Sequence, residues 1–158
     1  MATTTSYCGR SFPLGARVSP KGVNFSLYAR DAERVELLLF KTPDDPQPSQ
    51  IIQYDPSTNR TAHYWHNFVF GLKAGQIYAY RVYGANDPAN GLRFDSSKIL
   101  LDPYGRGLVF PKAYDRGAAC REGDNTAVAM KSVVSFCIVE SRTPWAVRSC
   151  GVVHESSS

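Results

Sequence analysis

The chain has 158 residues and a net charge of +4, which fits one domain with a sizeable core and is short for two. Its 18 Lys and Arg residues are scattered rather than grouped into a basic block, so the sequence argues against nucleic-acid binding. No apolar run approaches the length needed to span a membrane. We therefore expect neither nucleic acid nor a membrane as a partner.

The N-terminal stretch "MATTTSYCGR" lacks an apolar core segment, so we do not expect a secretory signal. Its Ser, Thr and Arg content leaves a short organelle-targeting segment as an alternative, and we predict that residues 1–11 are disordered. Four cysteines, at positions 8, 120, 137 and 150, show no close metal-ligand spacing. Reduced thiols in the cytoplasm are expected, or in a plastid if the source is photosynthetic.

Two runs alternate apolar and polar residues, which is typical of half-buried strands. The apolar positions are Val23, Phe25 and Leu27 in the first run and Val35, Leu37 and Leu39 in the second. The segment "ARDAER" between them has six residues, too few for a stable helix of its own. We predict a turn that joins two strands.

The next ten residues, 41–50, contain three prolines and predict an exposed loop, after which "IIQYD" is consistent with a further strand. A run with Trp65, Phe68 and Phe70 then meets "GLKAG", and Ile77–Tyr83 alternates again with Tyr78, Tyr80 and Val82 on one side. This pattern predicts a β-hairpin.

Further on, Ile99, Leu100 and Leu101 form an apolar group that the turn Asp102–Gly105 follows. Short strands at regular spacing, separated by Pro- and Gly-containing turns, predict an all-β sandwich.

Several segments, in this order, resemble the N-terminal module of isoamylase-type and glycogen debranching enzymes of the α-amylase superfamily. They are "FPLGA", "GVNFSLYARDAERVELLLF", "NRT", "WHNFVFGLKAGQIYAYRVYG", "DPANGLRF", "SKILLDPYG" and "GDNTAVAMKSVV". The resemblance covers residues 12–134 and implies an immunoglobulin-like β-sandwich (early set) of the glycogen- and starch-binding type. It also implies α-glucan and a catalytic barrel as partners.

In that family the module precedes a (β/α)₈ barrel that carries the catalytic carboxylates and hydrolyses α-1,6 branch points. A barrel needs about 250 residues, whereas residues 135–158 are all that follow Val134. These residues also depart from the family pattern and are typical of a shifted reading frame, a retained intron or a mispredicted gene end. We expect an aberrant or disordered tail over 135–158 and no hydrolase activity from the chain alone.

One segment, "GLRFD", is similar to the "GFRFD" stretch that carries the nucleophile in the barrels of the superfamily. A glycosidase needs a second carboxyl group roughly 5 to 10 Å away, and no partner for Asp95 is identifiable. Its surroundings match the N-terminal module instead. We assign no catalytic residue.

Glucan-binding modules hold sugars on exposed aromatic rings, and Trp65, Tyr64 and Phe40 are the candidates here. Binding relatives often carry a Trp after the second strand, in a "GDFNxW"-like stretch, whereas this chain has "LFKTPDDPQ". We therefore expect weak glucan binding or none. A Trp in an alternating strand also fits a core or interface position.

The densest family match suggests a second role, docking against the barrel. It consists of Arg93, Phe94, Lys98, Asp102 and Tyr104, which would equally fit a strand with a tight Asp-Pro turn. His63 and His66 lack a third ligand at matching spacing, so we expect no metal site and no cofactor.

Three functions remain open on the sequence. The leading hypothesis is that the chain is the N-terminal module of a glycogen or starch debranching enzyme. The alternatives are a free-standing non-catalytic α-glucan-binding or regulatory module and a β-sandwich interaction domain without sugar affinity. Measurable binding of maltoheptaose or glycogen by the isolated chain would favour the free-standing module.

Overall fold

The structure is a computed structural model that describes residues 5–136. Its strands, in chain order, are β1 (Ser6–Cys8), β2 (Gly15–Ser19), β3 (Gly22–Tyr28), β4 (Arg34–Phe40), β5 (Gln50–Gln53), β6 (Arg60–Thr61), β7 (Tyr64–Phe70), β8 (Ile77–Tyr83), β9 (Asn86–Asp87), β10 (Leu92–Arg93), β11 (Gly107–Val109) and β12 (Lys131–Val133). Two short 3₁₀ helices span Pro88–Asn90 and Arg116–Ala119. Among these residues no helix is long and apolar enough to cross a membrane.

Two antiparallel sheets form the sandwich. The first has the order β1-β7-β3-β2, with β6 also paired to β7, and the second has the order β11-β12-β8-β4-β5. The short strands β9 and β10 pair with each other. This arrangement confirms the predicted all-β, immunoglobulin-like sandwich.

The main core lies between the two sheets, where the predicted alternation is confirmed. The buried positions include Val23, Phe25 and Leu27 of β3, Val35, Leu37 and Leu39 of β4, Trp65 and Val69 of β7, and Tyr78, Tyr80 and Val82 of β8. Phe25 meets Tyr78 edge to face, with ring centroids 5.0 Å apart. Full burial of one such side chain contributes roughly 1.5–3 kcal/mol.

The second sheet is buried on its outer face as well. Leu38 and Phe40 of β4, Ile77 and Ala79 of β8, and Ile99 form a second apolar cluster there. Residues Val109, Ala129 and Val133 pack against it. Burial on both faces explains why β4 ends in an unbroken apolar run rather than an alternating one.

The predicted hairpin of β7 and β8 is wrong. β7 pairs with β1, β3 and β6, whereas β8 pairs with β4 and β12. The segment 71–76 therefore carries the chain from one sheet to the other. Both strands direct apolar side chains to the same interior, so the pattern fits either connection.

The predicted turn between β3 and β4 is confirmed, and it too crosses between the sheets. Its ends are tied to both sheets, because the Ala29 N–H donates to the His63 carbonyl at 3.0 Å and the Glu33 N–H donates to the Tyr83 carbonyl at 2.9 Å. The turn therefore closes one end of the sandwich.

Within the segment 1–11, which we expected to be disordered, the structure has a strand at Ser6–Cys8, and residues 1–4 lie outside the described part of the chain. Ser6–Cys8 pairs with β7, and the chain then crosses the outer face of the first sheet to reach β2. Gly9 makes this crossing close: a Cβ there would lie 2.6 Å from Asn24 Oδ1 and 2.7 Å from the Asn67 carbonyl carbon. Of the predicted tail, 135–158, the residues from 137 onward lie outside the described part of the chain, and the module boundaries 12–134 stay a prediction.

Candidate functional site

A cleft of about 650 Å³ opens at the end of the sandwich that the β3–β4 turn closes. Its lining comes from three parts of the chain. The end of β3 and the turn supply residues 27–31, β8 supplies Tyr80 and Val82, and the segment after β10 supplies Phe94, Leu100, Leu101 and Pro103. Most of these side chains are apolar, which is usual for a binding cleft.

The turn beside the cleft is anchored from below by β6 and β7. The Trp65 indole N–H donates to the Ala29 carbonyl at 3.1 Å. The Arg60 guanidinium lies over the Trp65 ring, 4.9 Å from its centroid, and donates to the Arg30 carbonyl at 3.1 Å. These contacts hold the backbone of residues 29–30 in place.

Tyr28 lines the cleft at its rim, and the rings of Tyr64 and His63 lie next to Tyr28, outside the residues that line the cleft. Tyr28, the last residue of β3, is 43% exposed, and Tyr64, its partner on β7, is 37% exposed. Their rings meet edge to face at 5.4 Å, and the His63 ring lies 6.2 Å from that of Tyr28. Next to Tyr28 in the turn, Arg30 and Asp31 form an exposed ion pair at 3.3 Å.

The opposite wall is fixed by a tight turn at Asp102, whose carboxylate is buried. It accepts hydrogen bonds from the Tyr78 hydroxyl at 2.7 Å and from the Tyr104 N–H at 2.8 Å. Burial raises the pKa of Asp102, and these hydrogen bonds partly oppose the rise. The Asp102 N–H donates to Ser132 Oγ at 3.0 Å, which ties the wall to β12.

The same wall is linked to the 3₁₀ helix Arg116–Ala119 through Lys98. The buried Lys98 ammonium donates to the Ala118 carbonyl at 3.0 Å and to the carbonyls of Arg121 and Gly123. Three backbone carbonyls thus satisfy one buried cation, as a buried charge requires.

Residues 13–105 match a family described as carbohydrate-binding module 48, the isoamylase N-terminal domain. This chain belongs to that family. The match includes both walls of the cleft and its rim.

Relatives of the module are glycogen debranching enzymes. The protein from Serratia proteamaculans (strain 568) is 45% identical over 107 residues, which is 68% of this chain and 15% of the relative. The protein from Salmonella typhi is 36% identical over 148 residues, which is 87% of this chain and 22% of the relative. The module thus spans less than a quarter of the length of either protein.

Solved structures with a similar fold include the catalytic module of the pneumococcal glycogen-degrading virulence factor SpuA. It has a TM-score of 0.57 and 16% identity, over 82% of this chain and 17% of that one. The GBS pullulanase SAP in complex with maltotetraose has a TM-score of 0.55 and 19% identity, over 80% and 15%. At these identities the likeness shows the fold alone.

Two of the three glucan-contact candidates need correction. Trp65 is fully buried and Phe40 is 1% exposed, so neither ring offers a face to a sugar in solvent. Trp65 belongs to the main core, and Phe40 to the cluster on the outer face of the second sheet. Only Tyr64 is exposed, and its neighbour Tyr28, which we did not predict, joins it. The sequence feature that could have identified Tyr28 is its position on the polar side of the strand, which it shares with Asn24 and Ser26.

The docking candidates fall into two groups, one buried and one at least partly exposed. Lys98 and Asp102 are buried and hold the backbone of the module together. Arg93 and Tyr104 are exposed, and Phe94 is half-buried against the main core. A docking role for Arg93, Phe94 and Tyr104 stays a prediction, whereas the polar groups of Lys98 and Asp102 are engaged within the module.

Asp95 and His66 lie in local hydrogen-bonded settings. Asp95 is exposed and accepts from the Ser97 N–H at 2.9 Å and the Ser97 hydroxyl at 2.6 Å, bonds that lower its pKa. His66 is buried beside Thr61, with Nε2 and Oγ1 2.8 Å apart, and burial lowers its pKa. Within residues 5–136 no three His, Cys, Asp or Glu side chains are grouped as a metal site would require.

Proposed function

We propose that the chain is the non-catalytic module of an enzyme that debranches glycogen or starch, and that the cleft is where it docks on the catalytic barrel. The barrel would hydrolyse α-1,6 bonds, and the module would support it by docking and by weak α-glucan contact. The relatives support this proposal because both are named glycogen debranching enzymes. A cytoplasmic or plastid location also stays a prediction.

The observation that carries the docking proposal is the composition of the wall after β10. Leu100, which lines the cleft, is 46% exposed, and the same segment carries the exposed Arg93 and Tyr104 outside the lining. Exposed apolar groups beside charged ones are typical of surfaces between domains of one chain. The segment that the sequence predicted for docking thus supplies one side of the cleft.

The glucan part of the proposal rests on the family description, a carbohydrate-binding module. We expect the affinity of the isolated module to be weak. The loop 41–49 offers no ring, and the last aromatic residue before it, Phe40, is buried.

A fusion tests the docking proposal. The matching module of the Serratia proteamaculans enzyme is replaced by this chain, and branch hydrolysis of glycogen and the thermal midpoint are measured. We expect the fusion to be active. Leu100→Asp should lower its rate of branch hydrolysis several-fold, because a charge would be placed in the docked cleft. Leu108→Asp is the matched control, since Leu108 is 50% exposed and does not line the cleft. A Leu100→Asp fusion that matches the unmutated one in both measurements would contradict the proposal.

A further inference from the structure

We propose that the rim formed by Tyr28, Tyr64 and the Arg30–Asp31 pair is a contact site for a linear α-glucan. The rim itself indicates a neutral, hydroxyl-rich ligand. The α linkage rests on the proposed function.

The two tyrosines supply the apolar part of such a site. Tyr28 and Tyr64 are both more than a third exposed, although the adjacent residues of their strands, Leu27 and Trp65, are buried. Aromatic rings present an apolar face, and the tyrosine hydroxyl adds a polar group at the edge. A pyranose ring has the matching character, with C–H groups on its faces and hydroxyls around its edge.

The ion pair supplies the polar part. The side chains of Arg30 and Asp31 are 65% and 49% exposed and lie 3.3 Å apart. The guanidinium only donates hydrogen bonds and the carboxylate only accepts them. A hydroxyl does both, so neighbouring hydroxyls can meet both groups. Since the two charges balance, the pair favours a neutral ligand over a phosphate or a carboxylate.

Hydrogen bonds hold the backbone of the site in its conformation. Trp65 and Arg60 bind the carbonyls of Ala29 and Arg30, and the Ala29 N–H is bonded to the carbonyl of His63. These bonds join the turn that carries the ion pair to the strand that carries Tyr64. A preformed surface loses little conformational freedom on binding, which favours affinity for a flexible oligosaccharide.

The rim adjoins the cleft, because Tyr28, Arg30 and Asp31 also line it. If the opposite wall docks on a catalytic domain, a glucan chain held at the rim lies beside that domain. The site would then keep substrate near the barrel rather than bind it tightly.

The test is an NMR titration of the full chain with maltoheptaose, with cellohexaose in parallel. We expect weak binding, with amide shifts centred on Tyr28–Asp31 and His63–Tyr64. Tyr64→Ala and Asp31→Ala should each raise the dissociation constant about tenfold, and Tyr64→Phe should keep most of the affinity. Phe70→Ala is the matched control, because Phe70 ends the same strand and is 40% exposed. Thermal midpoints of all variants establish that each is folded.

The outcomes separate this site from the proposed function. Shifts centred elsewhere, or Phe70→Ala weakening binding as much as Tyr64→Ala, would overturn the rim site and leave the debranching module intact. Binding of cellohexaose at the rim without maltoheptaose would support the rim and overturn its α-glucan assignment. Absence of shifts with either sugar up to its solubility limit would overturn the rim site. The docking proposal would not be affected, because the fusion experiment tests it separately.

Discussion

Trp65 supports the cleft from beneath rather than binding a ligand at its surface. Its ring is fully buried, its indole N–H holds the Ala29 carbonyl, and the Arg60 guanidinium covers it. The most conspicuous aromatic residue of the sequence therefore acts on the site through the backbone of the turn. We therefore expect a mutation of Trp65 to lower the free energy of unfolding rather than to remove a contact with a ligand.

We expect Trp65→Ala to lower the free energy of unfolding by about 3–5 kcal/mol, as truncation of a buried Trp usually does. Tyr64→Ala, one residue away but exposed, should cost about 1 kcal/mol or less. Urea unfolding followed by circular dichroism measures both. A Trp65→Ala variant of unchanged stability that had lost maltoheptaose binding would show instead that the ring contacts the sugar.

Asp102 makes stability depend on pH. Burial raises its pKa above the ordinary value of 3.8, so the folded chain holds the proton more tightly than the unfolded chain does. The free-energy cost of burying its charge is therefore absent well below pH 3.8 and grows between pH 3.8 and the raised pKa. Above that pKa the cost is constant.

Asp102→Asn removes this titration, so comparison with the unmutated chain shows whether Asp102 makes stability fall or rise with pH. The free energy of unfolding of the unmutated chain, minus that of Asp102→Asn, should fall as the pH rises from below 3.8 and then level off. The substitution also changes the bonds with Tyr78 and the Tyr104 N–H, which adds an offset that does not vary with pH. Urea unfolding across the pH series measures the difference, and a difference that rises with pH would refute the burial effect.

Strand alternation predicted the inward faces of β3, β4 and β8, because side chains of a strand point alternately to its two sides. It did not predict which strands pair. The segment "GLKAG" is compatible with a hairpin, yet it links β7 in one sheet to β8 in the other. The pairing depends on contacts distant in sequence, and a local pattern carries no information about them.

The rim could not be predicted from a local pattern either. Tyr28 and Tyr64 are 36 positions apart in sequence and face each other only because β3 pairs with β7 in one register. Local motifs singled out the segment that we predict to dock, but they did not predict which of its side chains are buried and which are exposed. Lys98 is buried because the chain beyond it folds back and brings three carbonyls to its ammonium group.

Lys98 joins the cleft wall to the segment 116–123, and Lys98→Met should loosen that segment. The substitution keeps much of the apolar stem and leaves the three carbonyls without their donor. We expect a loss of about 2–3 kcal/mol in unfolding free energy and faster amide exchange over residues 117–126. Lys73→Met, at an exposed position, is the control. Unchanged exchange in Lys98→Met would mean that the segment is held by other contacts.

As a unit, the chain has the fold of a binding module, and we expect no hydrolysis from it alone. Glycoside hydrolysis needs two carboxyl groups placed about the scissile bond, whereas the Asp95 carboxylate is bonded to Ser97 within its own turn. Glycogen, amylopectin and pullulan should release no reducing ends above a boiled control. Release that Asp95→Asn abolished would instead make Asp95 a catalytic residue.

Hydrogen–deuterium exchange of the chain, alone and fused to the catalytic part of the Serratia proteamaculans enzyme, tests the docking of the cleft most directly. We expect the fusion to slow exchange in the turn 29–33 and in the wall 94–104, with the outer face of the first sheet unchanged. The region around Tyr7 and Phe70 reports on that face, since both rings are exposed there. Protection gained around Tyr7 and Phe70 instead, or at neither surface, would contradict a module that docks through its cleft.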